Sequence, residues 1–203
     1  MARTYRTIAA EVTRLTEDHA WEPESCAWFM RSKEAHGALS NMTGGMPIRV
    51  LAKSGAVMLV HSSEHLYQCG RYPDSPEIQQ AILSIPAAMP AKKKAWEAVD
   101  QTRADWKQVN VPWMLWVLRQ KLGSNWQIFG DALEATENKA IVERSSRDAF
   151  WGAILRSDGL LYGRNVLGCL LMELRAWKRA GGTVEAAMNG PCPVPMTLLG
   201  EAV

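Results

Sequence analysis

Glu64 lies in the stretch Ser62-Ser63-Glu64-His65-Leu66-Tyr67-Gln68, which puts a carboxylate at an expected helix start inside an apolar pattern. Desolvating a carboxylate is costly unless it is paired or put to use, so its position asks for a partner or for chemistry. In a first helical turn it also favours the positive end of the helix dipole, and spacing alone leaves the structural and catalytic roles equally open. Tyr67 and Gln68, one turn further on, share its helical face. A second stretch, Ser145-Ser146-Arg147-Asp148-Ala149-Phe150-Trp151-Gly152, follows Glu143. There Asp148 either caps a local turn or holds a ligand, and Trp151 either fills the core or stacks on a flat ring. In a third stretch, Gly163-Arg164-Asn165-Val166-Leu167-Gly168, Asn165 suits a helix N-cap. The amides that begin such a helix, with Gly163 and Arg164, suit a phosphate.

His61, Glu64 and His65 also spell H-x-x-E-H, an inverted zinc-hydrolase pattern that needs both histidines on one helical face. A serine cap at Ser62 or Ser63 would begin the helix after His61 and leave that residue outside it, so no metal is expected. Of the basic residues upstream, Arg31 could grip a phosphate bidentately, whereas Lys33 could attack an opened ribose aldehyde to form an imine. Lys92-Lys93-Lys94 reads as a solvated helix face, with phosphate contact by Lys92 the lesser alternative. Trp106 is a second ring that could carry a flat ligand, although with nine tryptophans in the chain most must serve packing.

The elements that must position these residues are mostly helical. Ile8, Val12 and Leu15 predict an amphipathic helix over about residues 4–17. Ile48 to Leu51 and Val57 to Val60, split by Lys53-Ser54-Gly55, predict a hairpin. Helices are expected from Ser62 or Ser63 to about Arg71, from Ser75-Pro76, from Val111-Pro112 with Met114, Val117, Leu118 and Leu122 on one face, and from Asn125 to Leu133. Ala140 to Val142 reads as a short strand. Leu167, Leu170, Leu171 and Leu174 repeat at helical spacing after Asn165, and Gly181-Gly182 ends that helix. From Thr183 the chain has turn chemistry and is expected to be irregular.

With 203 residues and 47% hydrophobic content the chain can bury a full core, most simply as one domain. A net charge of +2 is too mild to argue for nucleic-acid binding by electrostatics alone. Cys26, Cys69, Cys169 and Cys192 lack metal-site spacing and suit free thiols in a reducing compartment. The opening residues carry no apolar signal segment, and the longest apolar runs fall short of the ~20 residues of a membrane helix. The expected location is therefore cytoplasmic.

Taken with Gly37-Ala38-Leu39-Ser40-Asn41-Met42, Asp105-Trp106, Lys121-Leu122-Gly123-Ser124-Asn125, Val142-Glu143 and Leu170-Leu171-Met172-Glu173-Leu174-Arg175, these stretches resemble, in order, the signature blocks of the NADAR (YbiA-like) family. The likeness covers about residues 28 to 178. It departs at Cys69-Gly70, where Ala and Lys often sit, and at Ile85 to Lys92, which follows the family's S-P-x-x-A-K pattern only loosely.

The resemblance implies a single α+β domain, predominantly helical with a small β-sheet, at residues 26–182, with a helical extension at 1–25 and an irregular tail at 183–203. It implies hydrolysis of an N-glycosidic bond at a phosphorylated ribose, without metal or cofactor. The substrate would be an ADP-ribose adduct, including ADP-ribosylated guanine in DNA, or a ribosylaminopyrimidine phosphate of riboflavin synthesis. Glu64 and Asp148 match its catalytic positions, and Lys33 or Arg31 its basic one. Asn41, Tyr67, Gln68, Trp106, Glu143, Trp151, Gly152 and Asn165 match positions that line the substrate. A reading from another class is a catalytically silent module that binds ADP-ribose, a nucleotide or modified nucleic acid.

Overall fold

The computed structural model describes residues 4–203; the first three residues of the expected extension lie outside the described residues. The chain is α+β, mostly helical with small sheets. It forms two compact units, one from the residues up to Ser40 with Gln127–Gly182, the other from Asn41–Trp126 with Thr183–Val203.

The first unit is built on a five-stranded sheet. Its strands are β1 (Ala20–Trp21), β2 (Cys26–Phe29), β5 (Ala140–Ser145), β6 (Ala153–Leu155) and β7 (Leu161–Tyr162), in the order β1-β7-β6-β5-β2. Strand β5 lies between β2 and β6 and runs parallel to both, Cys26 opposite Ala140, while β7 is antiparallel to β6 and β1. Helix α7 (Val166–Arg179) packs its Leu167, Leu170, Leu171 and Leu174 face inward and contacts β5. It ends as expected, with Gly181 at φ +93°. Helix α6 (Trp126–Glu134) and helix α1 (Tyr5–Val12) complete the unit.

Helix α1 is shorter than the periodicity predicts. The Thr4 hydroxyl caps it by accepting the Thr7 N–H, but at its end the Thr13 hydroxyl donates to the Ala9 carbonyl at 2.9 Å. That side-chain bond competes with another helical turn, and Leu15 falls outside. Two elements ahead of residue 26 pack within this unit, β1 pairing with β7 and α1 contacting α7.

The second unit holds the expected hairpin of β3 (Ile48–Leu51) and β4 (Val57–Val60), with Ile48 opposite Val60. Helix α2 (Ser63–Cys69) follows, then α3 (Pro76–Leu83), which starts with Pro76 after Ser75 as expected, and α4 (Ala88–Trp96). Helix α5 (Trp106–Ser124) begins five residues before Val111 and runs straight through Pro112. Residues 111–118 are all buried, so tertiary packing outweighs the amide hydrogen bond that proline removes. The tail from Thr183 is not irregular. It forms α8 (Val184–Met188), capped by the Thr183 hydroxyl, and a small hairpin of β8 (Thr197–Leu198) and β9 (Glu201–Ala202). Buried Gln79 secures that hairpin, donating to the carbonyls of Tyr72 and Thr197 and accepting the Leu199 N–H.

Among the described residues, no helix is long and apolar enough to cross a membrane.

Candidate functional site

In the second unit, α2 carries Glu64 in its first turn and is buried along its whole length. The chain enters at Asn41, whose carbonyl accepts the Glu64 N–H at 3.1 Å, so two sequence-selected residues meet through the backbone. The Glu64 side chain is only 6% exposed, yet it has two polar partners. Gln68, one turn on, donates its amide to Oε1 at 2.8 Å, and the Lys92 ammonium lies 3.5 Å from the same oxygen. Lys92 therefore does not sit on a purely solvated face as its run of lysines suggested; α4 turns it toward Glu64. Oε2 has no hydrogen bond among the described residues. Two neighbouring polar atoms, Asn41 Oδ1 and Ser63 Oγ, are also buried without a partner. The Asn41 amide nitrogen donates to the Met114 sulfur at 3.2 Å.

Tyr67 and Trp106 are both buried, their rings 5.1 Å apart, and the Arg71 guanidinium lies 4.8 Å from the Trp106 ring centre. Trp106 thus packs against protein groups rather than lying open as a platform. The Cys69-Gly70 departure has a packing cause. A Cβ on Gly70 would drive into the Trp113 indole, which is fully buried and donates to the Tyr67 carbonyl.

Ser62 occupies the cap position of α2, but its hydroxyl makes no cap bond. It lies 2.8 Å from His65 Nδ1, and His65 Nε2 is 2.7 Å from the Ile85 carbonyl. A carbonyl only accepts, so Nε2 carries the proton and Nδ1 accepts from Ser62. Burial lowers the His65 pKa, which keeps the ring neutral. His61 lies outside the helix, as the serine argument expects, and both His65 nitrogens are engaged. No group of three His, Cys, Asp or Glu among the described residues stands ready to hold a metal.

In the first unit, the loop from Ser145 to Gly152 closes over the start of α7. Asp148 is exposed, and its Oδ1 accepts the N–H groups of Phe150 and Trp151 at 2.9 and 2.8 Å. Ser145 in turn accepts the Asp148 N–H at 3.0 Å. One oxygen of Asp148 is a turn cap, and Oδ2 has no bond among the described residues. Trp151 is half-buried, edge-on to Phe150. Gly152 is buried where a side chain would press on the Glu143 carbonyl at 2.5 Å.

The expected phosphate cradle at the start of α7 is not open. The N–H groups of Arg164, Asn165, Val166 and Leu167 donate to the carbonyls of Ala149, Gly152, Phe150 and Trp151. Asn165 holds the cap position in the left-handed region at φ 49°, but its side chain does not cap. Its Oδ1 accepts the Glu143 N–H at 3.0 Å and its Nδ2 donates to the Ile141 carbonyl at 2.8 Å. Asn165 is fully buried and ties β5 to the helix start. The sequence points to a cap there because Asn before an apolar helix is a cap signal; long-range use of the same amide leaves no local mark.

Arg31 and Lys33 are both exposed on the turn after β2. The Glu34 carboxylate accepts the N–H groups of Arg31 and Met30 at 2.9 and 2.8 Å, which holds its pKa below the usual carboxylate range.

The sequence placed neither Arg71 nor Lys92 beside the Glu64–Gln68 pair. Arg71 reaches Gln68, its Nε 2.9 Å from Oε1, and this i,i+3 spacing on α2's axis was a legible signal. Lys92 arrives from another helix and left no local signal. Lys121, in the K-L-G-S-N block, is 1% exposed, and burial pushes its pKa down to about 7.

The sequence matches the NADAR domain family over residues 28–177, a span that runs through both units. It is 33% identical over 152 residues to a riboflavin biosynthesis protein of Vibrio vulnificus, covering 75% of this chain and 38% of that protein. To the chloroplastic riboflavin biosynthesis protein PYRR of Zea mays it is 27% identical over 170 residues, covering 78% of this chain and 26% of that one. The chain therefore spans well under half the length of these relatives. The solution structure of the Escherichia coli protein YbiA superposes with a TM-score of 0.63 at 26% identity, covering 84% of this chain and 92% of that one. With the family's blocks matched in order across most of the chain and the fold shared with YbiA, this protein belongs to the NADAR domain family.

Proposed function

We propose that the protein hydrolyses an N-glycosidic bond at a phosphorylated ribose, with Glu64 as the central catalytic group. The observation that carries this reading is the state of Glu64: a buried carboxylate, anchored at Oε1 by Gln68 and Lys92, with Oε2 uncommitted. Cleavage breaks the bond between C1′ and the base nitrogen. The electron pair leaves with the base, and positive charge develops on the ribose ring. A fixed carboxylate stabilises that charge and takes a proton from the water that adds to C1′; the proton passes to the departing nitrogen. The products are the ribose phosphate and the free base.

Asp148 is the second catalytic candidate, its Oδ2 available for a ribose hydroxyl or for water while Oδ1 holds the turn. Trp151 is the candidate ring to stack on a base, and Glu143, on the strand that leads into the same loop, a candidate for the ribose hydroxyls. Arg31, exposed and basic, is the candidate for phosphate, a role the closed amides before α7 leave to side chains, and Lys33, exposed on the same turn, is the candidate amine for an opened ribose aldehyde. The substrate class is a ribosylaminopyrimidine phosphate, in keeping with the names of the curated relatives, or an ADP-ribose adduct such as ADP-ribosylated guanine in DNA. The cytoplasm is the proposed compartment, and no metal or cofactor takes part.

The test is to incubate the purified protein with ribosylaminopyrimidine phosphates, ADP-ribosylated guanine DNA and NAD, following released base by mass spectrometry. Base release from one of these, unaffected by chelators, is expected. Tight binding of ADP-ribose with no base released from any would instead identify a binding module.

A further inference from the structure

We propose that Arg71 is a positioning residue that fixes the direction of the Glu64 carboxylate through Gln68. The inference rests on Glu64 being the catalytic group. A glutamine amide can sit either way round, and only one way places its NH2 against Glu64. Arg71 Nε can only donate, and it lies 2.9 Å from Gln68 Oε1. That contact holds the oxygen toward Arg71 and turns Nε2 to Glu64 Oε1 at 2.8 Å. Lys92 approaches the same oxygen from α4 at 3.5 Å. Both donors fall on Oε1, so the carboxylate cannot swivel without losing them, and Oε2 remains the oxygen presented for chemistry.

Arg71 is itself held from several sides. Its guanidinium lies 4.8 Å from the ring centre of Trp106 and 5.5 Å from that of Trp96. Its carbonyl accepts the Arg103 N–H at 2.9 Å, which ties it to the segment leading into α5. A planar guanidinium suits two aromatic rings while one edge donates to an amide; a lysine ammonium fits that combination poorly. The arginine therefore transmits the rigidity of the aromatic packing to the end of α2, and through Gln68 to its start.

The experiment combines a structural and a kinetic readout. In side-chain amide NMR, with the Gln68 signals assigned by their loss in Gln68→Leu, the wild-type Gln68 protons should be slow to exchange and should shift on Glu64→Gln. In Arg71→Met both properties should disappear. For base release, Arg71→Met should lower kcat by about ten- to hundredfold with KM little changed, as expected for misplacing a catalytic group. Arg71→Lys should recover only part of this, and Arg71→Met combined with Gln68→Leu should be no worse than Gln68→Leu alone. Near-UV circular dichroism checks that each variant is folded, and Arg71→Lys serves if Arg71→Met is not. Gln68 signals in a folded Arg71 variant that still shift with Glu64→Gln, or kinetic losses that add in the double variant, would overturn the proposal. If Glu64→Gln itself keeps full turnover, the catalytic reading fails, while the NMR arm still decides whether Arg71 orients Gln68 onto Glu64.

Discussion

The side-chain oxygen of Asn165 accepts the backbone N–H of Glu143 at 3.0 Å, across 22 residues of sequence. The same amide donates to the Ile141 carbonyl, so one buried side chain serves two backbone groups of β5. Asn165→Ala would leave both unpaired and would place an alanine at φ 49°. The expected loss is about 2–4 kcal/mol of stability, from two orphaned buried groups plus left-handed strain. Chemical denaturation measures it. A loss under 0.5 kcal/mol would show that water or a local shift replaces the clamp, an order-of-magnitude threshold set by ordinary surface substitutions.

Asp148 can be separated into its cap and its charge. Asp148→Asn keeps an oxygen for the Phe150 and Trp151 N–H groups and should leave stability nearly unchanged. Asp148→Ala should lose about 1 kcal/mol, as for a lost side-chain cap. If the charge serves the reaction, base release by Asp148→Asn should fall about a hundredfold in a protein that melts normally. Wild-type rates in that variant would reduce Asp148 to its turn.

Lys121 makes a pH prediction. Its folded pKa is lowered to about 7 from 10.5, so between those values the unfolded chain binds a proton that the folded chain does not. Stability from this group therefore rises with pH across that window, by at most about 1.4 kcal/mol per pH unit. Lys121→Met should remove this component. Denaturation midpoints at pH 6.5, 8 and 9.5 should show a steeper rise in the wild type than in the variant; parallel curves would mean that Lys121 is charged in the fold.

What could be read from the sequence follows the range of the interaction. The hairpin at Ile48–Val60, the Pro76 helix start and the leucine face of α7 rest on local spacing, and all appear where expected. The strands β1, β2, β6 and β7 are two to four residues long, too short for alternation to register. They exist because partners reach them from far away in sequence, β5 pairing Ala140 with Cys26 of β2, and β7 pairing Leu161 with Trp21 of β1. The same contrast divides the candidate site. Glu64 and Gln68 are one helical turn apart and could be grouped at sight, whereas Lys92 comes from another helix and its facing could not be read from a run of three lysines. At Asn165 and Asp148 the residue types signalled caps. Asp148 caps the 150–151 turn, and Asn165 spends its amide on a strand instead.

The most direct test of the central claim is the rate of free-base release by Glu64→Gln, measured beside the affinity of the same variant for the substrate. The amide keeps the shape and still accepts from Gln68, but it lacks the charge that a cationic transition state requires. The account predicts a fall in turnover of at least about a hundredfold, as for loss of a general base, with binding within a few-fold of wild type. Base release at near wild-type rate by a folded Glu64→Gln protein would contradict it, and would leave Glu64 as a helix-start carboxylate bonded to Gln68 and Lys92.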